Sequence, residues 1–239
     1  MPISSRERLI VALDVNDANA AREMVVRLGD GVVFYKIGLE LLMAPGFFDL
    51  LNWLKAEHKK VFVDLKFFDI PETVSRAVKN LAERGADFCT IHGNQSIMEA
   101  AAKAKDGSSL RVLAVTALTS LDRGDLDDLG FQCDVGALVL SRAKRALAAG
   151  CDGVVSSGLE VERLRREVGP KLVCVTPGIR PVDNKSESDQ KRVMTPAAAI
   201  KAGADYIVVG RPIRDAADPR AAAQAIQDEI AREILNAAA

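Results

Sequence analysis

Ala202-Gly-Ala-Asp205-Tyr-Ile-Val-Val-Gly210 reads as the end of a helix, a tight turn and a buried strand, and the chain repeats that junction. Arg84-Gly-Ala-Asp87 leads into an apolar run at 88–92, and Ala149-Gly-Cys-Asp152 leads into another at 153–157. In each copy the glycine suits the left-handed backbone that follows a helix C-terminus, and the strand starts within a few residues. One α-to-β junction used repeatedly points to one repeating unit. Outward from these junctions, further β-branched runs lie at 9–15, 32–39, 60–67, 110–118 and 171–179. They are continuously apolar rather than alternating, as expected of parallel strands covered on both faces. Between them run helical stretches, one with an apolar stripe at Val135, Leu138, Val139, Ala143, Ala146 and Leu147 and with Arg142, Lys144 and Arg145 off it.

Eight strands alternating with helices, at about 30 residues per unit, match a (β/α)8 barrel of ~250 residues. A doubly wound open sheet would place a glycine-rich fingerprint after its first strand, but that strand ends Ala12-Leu-Asp-Val-Asn16. No Pro/Gly/Ser tract splits the chain, so residues 1–239 are expected to form one barrel domain. The longest stretches without periodicity are 119–134 and 180–195. Both follow expected strands and so belong to the C-terminal face, where active sites of this fold are built.

Composition narrows the function classes. With 32 Lys+Arg against 33 Asp+Glu the formal net charge is −1, which argues against a dedicated nucleic-acid binder. Hydrophobic residues at 49% and charged residues at 27% exclude a disordered or fibrous chain. No stretch approaches the ~18 consecutive apolar residues of a membrane span. Residues 1–7 are polar and charged with no apolar stretch of leader length behind them, so no secretory leader is expected. Cys89, Cys133, Cys151 and Cys174 form no CxxC pair, and the histidines are His58 and His92 alone. Free thiols in a reducing cytoplasm, no disulfide and no structural metal are the expectation.

The chemistry concentrates in Val61-Phe-Val-Asp64-Leu-Lys66-Phe-Phe-Asp69-Ile-Pro71. Residues two apart on a strand share a face, so Asp64 and Lys66 point together into the top of the barrel, and Val61, Val63, Leu65 and Phe67 face the helices. Asp14 and Lys36 hold matching places at the ends of neighbouring strands, and Asp69 lies just past the strand, before the helix that Pro71 opens. A lone Asp–Lys pair is ordinarily structural, and Asp69 alone would be a helix-terminal acid. Alternating sign across three adjacent strands is different, because a partly buried network carries a desolvation cost that apolar packing avoids.

A second cluster joins Thr176-Pro-Gly178-Ile-Arg180 to Val209-Gly210-Arg211-Pro-Ile213, after the seventh and eighth strands. Phosphate in this fold is commonly held there, where glycine admits the ligand to the backbone and an arginine fork suits phosphate oxygens. Thr119 and Ser120 could read polar ligand edges or simply form a turn. Gln190, in the polar loop, could reach a ligand or remain solvated. His92 could be an acid–base group or a hydrogen-bonded rim residue.

Asp64-x-Lys66-x-x-Asp69-Ile70-Pro71, the Lys36 strand before it, Leu118-Thr-Ser120, Thr176-Pro-Gly178-Ile-Arg180 and Gly210-Arg211 together resemble the orotidine 5′-phosphate decarboxylase family over nearly the whole chain. The resemblance implies a cofactor-free, metal-free cytoplasmic homodimer with shared active sites, a carboxy-lyase converting orotidine 5′-monophosphate (OMP) to UMP in pyrimidine nucleotide synthesis. It implies that Lys36, Asp64, Lys66 and Asp69 form the charged array, with Asp69 of the partner subunit completing it and Lys66 donating a proton to C6. Asp14 and Lys36 would hold the ribose hydroxyls, joined by Thr73 of the partner subunit. Thr119 and Gln190 would contact the pyrimidine, with Gln190 also reaching the phosphate, and Arg180, Gly210 and Arg211 would bind the phosphate.

Three other readings compete. A keto-sugar-phosphate decarboxylase of the same superfamily shares the Asp-x-Lys-x-x-Asp core but uses Mg2+, and the Leu118-Thr-Ser120 and Gln190 elements fit a pyrimidine better. A Schiff-base aldolase needs a lysine of depressed pKa, whereas acids flank Lys66. A non-catalytic phosphate-ligand sensor would keep Arg180 and Arg211 but have no use for the charges of the third strand.

Overall fold

The computed structural model describes residues 3–181 and 193–238. Eight parallel strands close into a barrel in chain order: β1 (Leu9–Ala12), β2 (Phe34–Gly38), β3 (Lys60–Phe67), β4 (Phe88–Ile91), β5 (Arg111–Val115), β6 (Gly153–Val155), β7 (Val173–Thr176) and β8 (Tyr206–Val209), with β8 pairing back onto β1. Helices follow the strands and cover the barrel, so the (β/α)8 expectation holds.

The repeated junction has a physical basis beyond its turn. Gly85, Gly150 and Gly203 all take positive φ, at 73°, 84° and 100°. The aspartate two residues on then locks the preceding strand. Asp87 accepts the Val61 N–H at 2.8 Å and pairs with Lys55 at 2.6 Å. Asp152 accepts the Val112 N–H at 2.7 Å and pairs with Lys105 at 3.0 Å. Asp205 accepts the Cys174 N–H at 2.9 Å and pairs with Arg165 at 2.6 Å. Each carboxylate thus ties a strand start to a helix, and a charge-assisted hydrogen bond of this kind contributes about 1.5–3 kcal/mol.

Two apolar layers result. The outer one lies between strands and helices. The inner one fills the barrel with Phe34, Phe62, Phe88, Leu113 and Tyr206 among others. Phe88 meets Phe34 at 5.0 Å and Tyr206 at 5.1 Å edge to face, a geometry worth about 0.5–1.5 kcal/mol per pair beyond burial. This plug closes the lower barrel. Two residues further along each strand the inward position changes character: Ala12 gives way to Asp14, Phe34 to Lys36, Phe62 to Asp64 and Phe88 to Thr90. The strand period of two therefore stacks a polar layer directly on an aromatic one.

Two expectations need correction. Leu147 leaves the apolar stripe and is exposed, because the helix Val135–Ala148 turns only Leu138, Val139, Ala143 and Ala146 inward. Within 119–134 there is a short helix, Arg123–Asp128, started by a capping box between Asp122 and Asp125. It buries only Leu126, so it has no apolar period to read. Among the described residues no helix is long and apolar enough to cross a membrane. Cys89, Cys151 and Cys174 are buried, Cys133 is half-buried, and all four are free thiols.

Candidate active site

A cavity of about 360 Å3 opens at the C-terminal ends of the strands. Asp14, Lys36, Asp64 and Lys66 form one wall, and Val115, Ala117, Val155 and Pro177 form an apolar one. Thr119 and Ser120 stand at its rim, and Gly178, Arg180, Gly210 and Arg211 border the end beyond β7 and β8. Anionic and cationic groups, an apolar slot and an arginine-bearing end thus share one pocket, the arrangement that small polar ligands use.

The charged wall is a continuous chain. Lys36 Nζ lies 2.8 Å from Asp14 Oδ1 and 3.7 Å from Asp64 Oδ2, and Lys66 Nζ lies 2.9 Å from Asp64 Oδ1. Gly38 leaves room for it, since a Cβ there would come within 3.2 Å of Lys36 Nζ. Burial pushes the Asp64 carboxyl up, but Lys36, Lys66 and hydrogen bonds from Lys66 and Thr90 outweigh it and hold the group below the usual carboxylate range. Burial likewise lowers Lys36, yet Asp64 and Asp14 together keep its ammonium above its ordinary value. The alternation of sign inferred from the strands is what the geometry contains.

Asp64 and Lys66 meet by a route that simple strand alternation does not describe. The β3–β4 register shifts between Val63 and Phe67: Val63 pairs with Cys89, whereas Phe67 pairs with Ile91. Lys66 itself takes φ of 49°, in the left-handed region that non-glycine residues seldom occupy. Such backbone is stored at functional sites when its surroundings enforce it.

Asp69 does not join the array within this chain. It is exposed, its Oδ1 accepts the neighbouring Ile70 N–H at 2.6 Å, and among the described residues no ion pair links it to Lys36 or Lys66. The reason is local: Pro71 starts a helix, and the residues before it turn outward. Thr73, in that helix's first turn, lines with Asp69, Lys66 and Phe68 a separate open cleft of about 340 Å3. Phe68 and Ile70 beside it are exposed apolar side chains.

Arg180 is buried at the arginine end, and its N–H donates to the Met194 carbonyl at 2.9 Å, while Met194 N–H donates to Gly178 at 3.2 Å. These bonds hold the two ends of segment 180–195 together beside the cavity. Gln190 lies outside the described residues. His92 packs edge-on to Phe68 at 5.7 Å, and burial with the positive Arg142 and Lys66 holds its imidazole below the ordinary histidine range, hence neutral near pH 7.

Two residues at the site have no place in the sequence reading. Arg214 lines the cavity one helical turn after Arg211, grips Asp215 at 2.7 and 3.1 Å, and donates to the Asp14 carbonyl. The i, i+3 spacing from Arg211 was its signal. Thr90, fully buried on β4, contacts both Asp64 and Lys66. Its only signal was a hydroxyl at the inward position above Phe88.

A family model described as orotidine 5′-phosphate decarboxylase / HUMPS family matches residues 7–226. An orotidine 5′-phosphate decarboxylase of Methylococcus capsulatus is 66% identical over 96% of this chain and 94% of its own. One of Rhodopseudomonas palustris is 52% identical over 96% and 97%. The crystal structure of the Lactobacillus acidophilus orotidine 5′-phosphate decarboxylase superposes with a TM-score of 0.82 at 37% identity, covering 94% of this chain and 99% of that one.

Proposed function

This chain belongs to the orotidine 5′-phosphate decarboxylase / HUMPS family, and on that premise we propose that it is a carboxy-lyase converting OMP to UMP, the closing step of pyrimidine nucleotide synthesis, with no cofactor. The observation that carries this reading is Lys66 Nζ held 2.9 Å from Asp64 at the wall of a cavity whose other end bears Arg180 and Arg211.

In this reaction the C6–carboxylate bond breaks, CO2 leaves, and the bonding pair stays on C6 in the plane of the ring, where no π-system delocalises it. A fixed cation beside C6 and rapid delivery of a proton are what such a carbanion requires, and the Lys66 ammonium offers both. Lys66 gives one N–H proton to C6, becomes the neutral amine and regains a proton from solvent. Asp64 aims it, and Lys36 with Asp14 anchors Asp64 from the other side while binding the ribose hydroxyls. Arg180, Gly210 and Arg211 take the phosphate, and Thr119 and Gln190 take the pyrimidine. Phosphate binding, remote from the bond that breaks, supplies energy that holds the reacting end in register.

The protein acts as a homodimer in the cytoplasm, where free thiols stay reduced. Asp69 of the partner subunit and Thr73 of the partner subunit complete each site. Support comes from the outward turn of Asp69 beside exposed Phe68 and Ile70, a pairing of acid and apolar surface that a second copy would cover. The test is loss of orotate absorbance from OMP in EDTA, run on wild type and on Asp69→Ala and Lys66→Ala mixed after co-refolding. Wild type should be active with chelator, and each variant alone inactive. Random pairing makes half the dimers mixed, each with one intact site of two, so the mixture should regain about a quarter of wild-type activity. A mixture as inactive as its parents would mean self-contained sites. Activity only on a keto-sugar phosphate, and only with Mg2+, would move the chain to that rival chemistry.

A further inference from the structure

Thr90 stands at the one point where the β3–β4 ladder is interrupted. Between the Val63–Cys89 and Phe67–Ile91 pairs the β3 backbone bulges, and the Lys66 N–H lies within that interruption. Thr90 Oγ1 accepts that N–H at 2.9 Å. The same hydroxyl lies 2.9 Å from Asp64 Oδ1, which also receives Lys66 Nζ at 2.9 Å. A hydroxyl has one hydrogen. With its oxygen occupied as acceptor by Lys66 N–H, that hydrogen goes to the carboxylate, and the polarity of the whole contact is fixed.

We propose that Thr90 is a positioning residue, its one hydroxyl joining the left-handed Lys66 backbone to the Asp64 carboxylate so that the Lys66 ammonium is aimed into the cavity. This deepens, and rests on, the decarboxylase reading above. Three features support it. Thr90 is fully buried, so water does not compete for either bond. Lys66 at φ of 49° needs an external hold, since nothing in a lysine side chain favours that conformation. Asp64 has two oxygens with two duties: Thr90 keeps Oδ1 toward Lys66, which leaves Oδ2 toward Lys36. The methyl group of Thr90 is not part of the device.

The test compares Thr90→Ser, Thr90→Cys and Thr90→Val. Serine keeps the hydroxyl, and its kcat should stay within about threefold of wild type. Cysteine differs from serine by one atom, a weak donor and acceptor, and valine has neither function. Both should lose roughly 10²-fold in kcat, the scale of a small misplacement of a reacting group, with affinity for UMP nearly unchanged. If Thr90→Val does not fold, the Ser/Cys pair decides. Equal kcat for Ser and Cys, or a loss in Ser as deep as in Cys, would overturn the proposal. A second readout needs no activity: exchange of the Lys66 amide hydrogen should be slow in wild type and Thr90→Ser and at least about tenfold faster in Thr90→Cys. Unchanged exchange refutes the hold on Lys66 even should the protein prove not to decarboxylate OMP, whereas an inactive wild type with the expected exchange pattern refutes only the decarboxylase reading.

Discussion

Lys66→Ala should abolish OMP turnover, lowering kcat by roughly 10⁵-fold, while UMP binds within a few-fold of wild type. Two effects are lost together. Proton delivery by a positioned acid contributes ~10²–10⁴-fold. One preorganised donor facing developing charge contributes ~10²–10³-fold. Taken together these amount to about 7 kcal/mol of barrier. Affinity should survive because the proposed phosphate groups, Arg180 and Arg211, and the proposed ribose groups, Asp14 and Lys36, line the cavity independently of Lys66. Lys66→Arg separates the effects. It keeps a cation but holds its protons too tightly to donate one, so it should recover only part of the electrostatic share. Single-turnover absorbance with excess enzyme reads the chemical step. A Lys66→Ala enzyme within tenfold of wild type would remove Lys66 from the mechanism.

Asp64→Asn should lower kcat by roughly 10³-fold and destabilise the fold by about 3–5 kcal/mol, the cost of removing one member of a buried ion pair. Asp64 lies between two ammonium groups, Lys36 at 3.7 Å and Lys66 at 2.9 Å. The neutral amide leaves Asp14 as the counterion of Lys36 within this chain and takes from Lys66 the carboxylate that aims it. The stability loss should depend on pH in a defined direction. The Asp64 carboxyl is held below the ordinary range when folded, so its contribution is complete above the unfolded pKa of about 4 and fades as pH falls through the depressed folded value. Lys36 is shifted the other way, and its contribution is complete below about 10.4 and fades as pH rises through its raised folded value. The gap between wild type and Asp64→Asn in thermal unfolding should therefore be full at pH 7 and shrink toward pH 3. A gap that widens on acidification would show that Asp64 is not the stabilised carboxylate.

The fold was legible because burial on both faces of a parallel sheet leaves a continuous apolar run, and each of the eight runs became a strand. The runs at 110–118 and 171–179 outlast their ladders, since Ala117 and Ile179 stay buried in loops after β5 and β7 have ended. Hydropathy reports burial rather than hydrogen bonding. Glycine marks the α-to-β junction in the sequence, but the aspartate two residues later has the look of any turn acid, since its bond to the preceding strand is a tertiary contact. At the site, charges were legible because charge inside a barrel is costly and so has few explanations. Thr90 was not, because threonine is a common strand residue and its role depends on a bulge. That bulge sits at Lys66, a residue type that carries no signal for positive φ. Asp69 marks another boundary: its spacing from Lys66 is legible, whereas the outward turn before Pro71 that separates it from the array within this chain is not.

An aimed ammonium that holds negative charge on a ring carbon should do so whichever bond is broken to form it. Microscopic reversibility gives it a direct test without any carboxylate. Bound UMP in D2O should exchange its C6 hydrogen for deuterium, seen by NMR as loss of the H6 signal, because the site that protonates C6 also stabilises the carbanion formed by deprotonating it. Wild type should exchange this hydrogen, and Lys66→Ala should show none above background. No exchange with an enzyme that turns over OMP, or equal exchange with and without Lys66, would contradict it.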